Sequence, residues 1–292
     1  MRRVKRNKIR RLIGFLIVLA GLTAMNYPLL AGVVNDIFAY RERQGYQLEI
    51  DNTDEQELQQ TLETAREYNA ALASGAELSK YGGFKLLQTG AMLGYAEIPR
   101  INVNMAVRYS TDDDVLKSSL GLVESSSLPV GGESTHAVIS GHTGLASKKM
   151  LTELTQMKLG DLFFLHVLGQ DMAYRVDQIV VVEPWDASEL AIVEGKDYVT
   201  LLTCTPYGIN DHRLLVRGER VDYDFIDPEE SPTVERSYST VELARYAIAG
   251  VSVIVLIGMI IGMARSGRKA KKGKEPNGKT KRTGNADEKK RN

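Results

Sequence analysis

Two long apolar runs frame the chain, and the stretch between them changes its hydrophobic period once. From Leu12 to Val34 the side chains are uncharged and largely apolar. From Tyr246 to Ala264 they read YAIAGVSVIVLIGMIIGMA, again without a charge. About 20 such residues carry an α-helix across a bilayer, so 12–34 and 246–264 are each expected to be a transmembrane helix. A cleaved signal peptide is the competing reading of the first run. Its length and the lack of a clear small-x-small site favour an uncleaved signal anchor. Over 35–89 the apolar positions Leu58, Leu62, Ala65 and Tyr68 recur at three-to-four spacing, which predicts a helical stalk or helical pair. From Met92 the pattern shifts to short β-type runs. They are Gly94–Ile98, Val103–Val107, Ala137–Ser140, Leu162–Val167, Ala173–Val182, Tyr198–Thr203 and Leu214–Arg220. The stretch Leu168–Asp171 between two of them predicts a hairpin. Many short strands at this spacing predict an all-β barrel or sandwich over 90–225. The proline- and acid-rich stretch that follows reads as a linker over 226–245, and 265–292 as a basic, disordered tail.

Charge sharpens this layout. The formal net charge is zero, but residues 1–11 hold seven Lys or Arg and no acid, and 265–292 hold twelve Lys or Arg against three acids. That leaves 18 basic and 34 acidic side chains between them. An acidic middle repels phosphates, which excludes a nucleic-acid partner. Basic segments beside apolar helices stay on the cytoplasmic side of a membrane. Both ends are therefore expected in the cytoplasm, with the acidic domain outside the cell.

There is one cysteine, Cys204, so no internal disulfide can form. It closes a β-branched strand in TLLTCTPYGINDHRLLVRG, and Arg213 opens the next one. A second segment, HAVISGHTGL, presents His142 just past a strand end. Strand ends hold side chains on a rigid scaffold yet leave them accessible. Acyl transfer at a thiol needs a thiolate, a proton donor for the leaving amine, and a donor for the oxyanion. Cys204, His142 and Arg213 cover those three needs. His136, His166 and His212 compete with His142, and Arg217, on the same strand face as Arg213, is the alternative oxyanion donor. One Cys and four scattered His give no ligand pair at metal spacing, and Gly131–Gly132 lacks a phosphate-binding motif. No cofactor and no metal are expected.

These segments resemble the sortase family, specifically its class C, pilin-polymerising group. Besides the two segments above, SLPVGG at 127–132, GDLFFLHVLG at 160–169 and YRVDQIVVVEP at 174–184 are similar to it. The resemblance covers about 90–222 and the two-anchor layout. It implies an eight-stranded sortase β-barrel with N-terminal helices and two flanking transmembrane helices. It implies Cys204 as nucleophile, His142 as acid/base and Arg213 as oxyanion partner. It also implies cleavage of a Leu-Pro-x-Thr-Gly-like sorting signal between Thr and Gly through a thioester, resolved by a pilin lysine amine. Partners would be pilin or surface-protein substrates with C-terminal sorting signals. Attachment of surface proteins to peptidoglycan and a non-catalytic scaffold are the alternative functions. One departure stands out: the Asp-Pro-aromatic lid motif of class C is missing from 40–92, which leaves Tyr81 or Phe84 as the side chain to plug the site, or no lid at all.

Overall fold

The computed structural model describes residues 2–144, 150–222 and 247–262. The expected linker over 226–245 and the tail over 265–292 lie outside the described residues. The chain divides into two compact units, Met1–Asn26 with Thr240–Asn292, and Tyr27–Ser239. Helix α1 spans Arg2–Asn52 without a break, so the boundary expected at residue 34 is a change of side-chain character and not of backbone.

In the first unit, α1 and the helix over 247–262 meet through a polar pair. Asn26 Nδ2 donates to Ser252 Oγ at 3.0 Å and to the Leu22 carbonyl at 2.8 Å, and Ser252 is buried. Apolar side chains such as Leu16, Ile17, Val253 and Ile254 are exposed around it. Among the described residues no helix is long and apolar enough to cross a membrane. Of the two expected spans, the second is described only over 247–262, and several side chains of the first lie outside the described residues.

The second unit is a barrel with helical cover. Helix α2 (Glu55–Ala73) starts on Asp54, whose carboxylate accepts from Gln56 N at 2.8 Å. Glu55 and Glu57 in its first turn suit the positive end of the helix dipole. The face given by the sequence spacing, Leu62, Ala65 and Tyr68, is buried. Burial of a side chain such as Leu62 stabilises by roughly 2 kcal/mol. Beside it, Asn69 donates to the Leu128 carbonyl at 2.9 Å and accepts from Leu128 N at 2.7 Å, holding the 127–132 segment. Near the end of α1, Tyr46 donates to Leu93 O at 3.0 Å and accepts from Leu168 N at 2.8 Å. Burial pushes its hydroxyl up to about 12.

Eight strands close the barrel: β1 (Met92–Ile98), β2 (Val103–Tyr109), β3 (Leu120–Leu122), β4 (Thr135–Ser140), β5 (Leu162–Val167), β6 (Gln170–Val182), β7 (Asp197–Thr205) and β8 (His212–Val221). Their order is β1-β2-β3-β4-β7-β8-β6-β5, which returns to β1. The pairs β2/β3 and β4/β7 are parallel and the rest antiparallel. Seven of the strands were expected. The eighth, β3, is three buried residues, too short to display alternation, and is strand only because β2 and β4 flank it. The hairpin expected at 168–171 forms, with Val167 paired to Gln170 and positive φ at Leu168 (50°) and Gly169 (75°), the mark of a two-residue type I′ turn. Val199 and Leu201 of β7 and Leu214 and Val216 of β8 point into the core. By the two-residue period, Cys204 and Arg213 stand on the outer face at the same end of the barrel.

Candidate active site

Cys204 is the penultimate residue of β7 and carries a free, partly exposed thiol. Its Cα partner across the antiparallel β7–β8 ladder is Arg213. Directly opposed residues have Cβ atoms about 5 Å apart and side chains on one face. Arg213 Nη1 donates to the carbonyls of His212 at 3.0 Å and Asn210 at 3.3 Å. Among the described residues no carboxylate pairs with it. Its charge is therefore not neutralised by a neighbouring carboxylate.

His142 arrives from a different part of the chain. β4 runs parallel to β7 with Ser140 beside Leu202, and the pairing continues one step further as Gly141 N donates to Leu202 O at 3.0 Å. Thr203 Oγ1 donates to the Gly141 carbonyl at 2.6 Å and lies 2.6 Å from Thr143 Oγ1. Since the single Thr203 hydroxyl hydrogen goes to Gly141, Thr143 is the donor of the second bond. Both chain neighbours of His142 are thus bonded to the residue that precedes Cys204. Gly141 must be small: a Cβ there would meet Leu120 Cδ2 at 2.7 Å and Leu151 Cγ at 2.9 Å. Sequence reasoning missed Thr203 and Thr143. The only trace of them was a threonine adjoining both the cysteine and the histidine.

The other histidines have different employment. His136 is 1% exposed, with Nδ1 at 2.9 Å from Ala191 O and Nε2 at 2.7 Å from Thr200 Oγ1. Burial holds its pKa below the usual histidine value, so it is a neutral core residue. His166 stacks on Tyr95 at 4.3 Å between Asp171 and Glu97. Burial disfavours its charge, yet the two carboxylates outweigh that and raise its pKa. His212 sits near the site, its Nδ1 at 2.8 Å from Asp211 and its Nε2 at 3.5 Å from Glu183, and the Asp211 hydrogen bond raises its pKa. Arg217 is paired with Thr200, four residues back along β7 from Cys204, roughly 13 Å away at strand spacing. Its Nε and Nη2 grip the Asp177 carboxylate at 3.1 and 2.8 Å, and its guanidinium lies 4.2 Å from the Tyr198 ring centre. Tyr81 is buried edge-on against Tyr68, 5.5 Å between centres, and Phe84 packs on the same core. Tyr81 is a core residue under α2, not a free plug.

A family model described as the sortase domain matches residues 96–221. Clostridium perfringens sortase C, solved with the C-terminal cell wall sorting motif, is 46% identical with a TM-score of 0.60. The match covers 63% of this chain and 100% of that one. Streptococcus pneumoniae sortase C is 43% identical with a TM-score of 0.57, covering 63% of this chain and 97% of its own. Sortase D of Bacillus subtilis is 27% identical over 137 residues, which are 46% of this chain and 66% of that relative's length. Barrel, strand-end thiol and relatives together define a cysteine transpeptidase. The chain belongs to the sortase family, and its similarity to solved sortase C structures puts it in class C.

Proposed function

We propose that this chain is a membrane-anchored class C sortase that polymerises pilins, with Cys204, His142 and Arg213 as its catalytic residues. The observation that carries the assignment is the Cys204–Arg213 pair across the ladder, with both neighbours of His142 hydrogen-bonded to β7 at Leu202 and Thr203. The thiolate of Cys204 adds to the threonine carbonyl carbon of a Leu-Pro-x-Thr-Gly-like sorting signal. Arg213 stabilises the oxyanion, a donor whose loss typically costs about 3 kcal/mol of barrier. The C–N bond to glycine breaks as the His142 imidazolium passes its proton to the departing amine, leaving a thioester on Cys204. A lysine amine of another pilin then attacks the thioester carbonyl and gives its proton back to His142. The thiolate leaves, and an isopeptide bond joins the two subunits. No oxidant or metal enters the balance.

Membrane anchoring draws support from the first unit. Apolar side chains are exposed along both its helices, Ile17 at 65% and Ile254 at 70%. A helix apolar all round is at home in lipid, where a polar pair such as Asn26–Ser252 joins helices. The basic ends then lie in the cytoplasm and the barrel outside the cell.

The test uses the full chain in detergent micelles with a pilin that ends in a sorting signal. Covalent pilin multimers should form, and a hydroxylamine-sensitive acyl adduct should map to Cys204. Both should vanish in Cys204→Ala. Transfer only onto a peptidoglycan-like amine would make the chain a wall-attaching sortase. Assembly undiminished in Cys204→Ala would make it a scaffold.

A further inference from the structure

The loop between β7 and β8 carries Tyr207, three residues past Cys204, and this side chain is 69% exposed. An exposed aromatic ring needs no explanation in itself, but this ring has a defined seat. A Cβ built on Gly144 would lie 3.2 Å from Tyr207 Cε2 and 3.6 Å from Cδ2 and Cζ. The ring therefore lies directly on the backbone of Gly144, two residues past His142. Gly144 is held in place from its other side, since its N–H donates to Thr152 Oγ1 at 3.0 Å. It also adopts φ +86°, a conformation glycine reaches at little cost and other residues do not. Two separate constraints, backbone angle and ring contact, thus call for glycine at this position.

The other end of the connection is equally fixed. Ile209 N and Asn210 N both donate to Pro206 O, at 3.1 and 2.9 Å, which makes the loop a tight turn. The Asn210 carbonyl at its far side accepts from Arg213. Tyr207 therefore belongs to a stiff loop that joins Cys204 to Arg213, and its ring reaches across to the loop that bears His142. The threonine bonds described above join the two loops on the β7 side of His142. The ring joins them on the solvent side, beyond it.

Resting on the reading of Cys204 and His142 as the nucleophile and its acid/base, we propose that Tyr207 is a positioning residue whose ring, seated on Gly144, holds the His142 loop against the Cys204–Arg213 hairpin. It acts through His142 and does not itself handle the reacting atoms. Its shape is what matters, so phenylalanine should serve as well as tyrosine. If the ring goes, the His142 loop has more room to move away from the hairpin that bears Cys204.

Because Cys204 is the only cysteine in the chain, the rate of iodoacetamide alkylation of the full-length protein reads this thiol alone and needs no substrate. The wild-type rate should exceed that of His142→Ala, which reports the coupling of imidazole to thiol. Tyr207→Ala should lower the rate about threefold or more, with an unchanged thermal midpoint because the side chain is mostly exposed. Tyr207→Phe should keep the wild-type rate. Gly144→Ala, which drives a methyl group against the ring, should lower it as Tyr207→Ala does. In transfer assays Tyr207→Ala should lower kcat about fivefold with KM nearly unchanged. A wild-type alkylation rate in Tyr207→Ala overturns the proposal. So does a Tyr207→Phe variant as impaired as Tyr207→Ala, or a rise in KM alone, which would make the ring a substrate contact. Equal rates in wild type and His142→Ala would instead overturn the underlying reading of the site.

Discussion

Cys204 and Arg213 are Cα partners across the β7–β8 ladder, nine positions apart in sequence and opposite each other in register. The hairpin register alone sets these two residues side by side on one face of the ladder. Arg217 stands on the same face of β8 but is held by Asp177 and Tyr198. The two arginines should therefore separate cleanly on substitution. Arg213→Ala should lower kcat roughly a hundredfold or more with little change in the urea midpoint. Arg217→Ala should leave kcat within about twofold and reduce stability by about 1 kcal/mol, as expected for a partly buried ion pair with good geometry. Steady-state transfer kinetics and urea denaturation of both variants decide it; a reversed pattern would move the oxyanion role to Arg217.

This pair was legible in the sequence because a strand, a turn and a strand of period two leave little freedom. The position of His142 was legible only as a motif. Its approach to Cys204, 62 residues away, rests on the parallel β4–β7 pairing, and parallel partners leave no turn signal between them. β3 escaped for a different reason: its three buried residues are too short to show alternation, and it is strand only through its neighbours. The boundary placed at residue 34 followed a real change in side-chain character, but nothing there stops a helix, and α1 runs on to Asn52. The seat of Tyr207 on Gly144 depends on two loops meeting in space, and no local pattern announces it.

His166 predicts a pH dependence of stability. Burial opposes its charge, but Glu97 and Asp171 prevail and raise its folded-state pKa above the ordinary value. Its contribution is therefore fully present below the unfolded value near 6.5 and is lost as the pH rises through the folded value. The stability difference between wild type and His166→Gln, read from urea midpoints, should be largest near pH 6 and shrink towards pH 9. A difference that grows with pH would contradict the carboxylate pairing.

Gly218 faces Gly-sized space inside the barrel. A Cβ there would lie 2.6 Å from Phe163 Cε1 and 2.9 Å from Tyr174 Cβ. The two rings are stacked 5.6 Å apart and fully buried, so neither can yield easily. Gly218→Ala should destabilise the fold by about 2 kcal/mol or more through overpacking. Differential scanning fluorimetry would show the fall in Tm, and an unchanged Tm would mean the core is looser than its packing indicates.

Thr203 separates support of the site from chemistry at it. The side chain is 2% exposed, and its hydroxyl gives its hydrogen to Gly141 O while accepting from Thr143. Valine preserves the shape but removes both bonds and leaves a buried carbonyl without its donor, an expected loss of about 1–3 kcal/mol. Serine keeps both bonds and loses only a methyl group. If the bonds fix His142 relative to the thiol, Thr203→Val should lose about tenfold in kcat, and Thr203→Ser should recover most of it at equal or lower thermal stability. Activity that followed stability across the two variants, with serine no better than valine, would show that Thr203 serves packing alone and that the His142 loop finds its place without it.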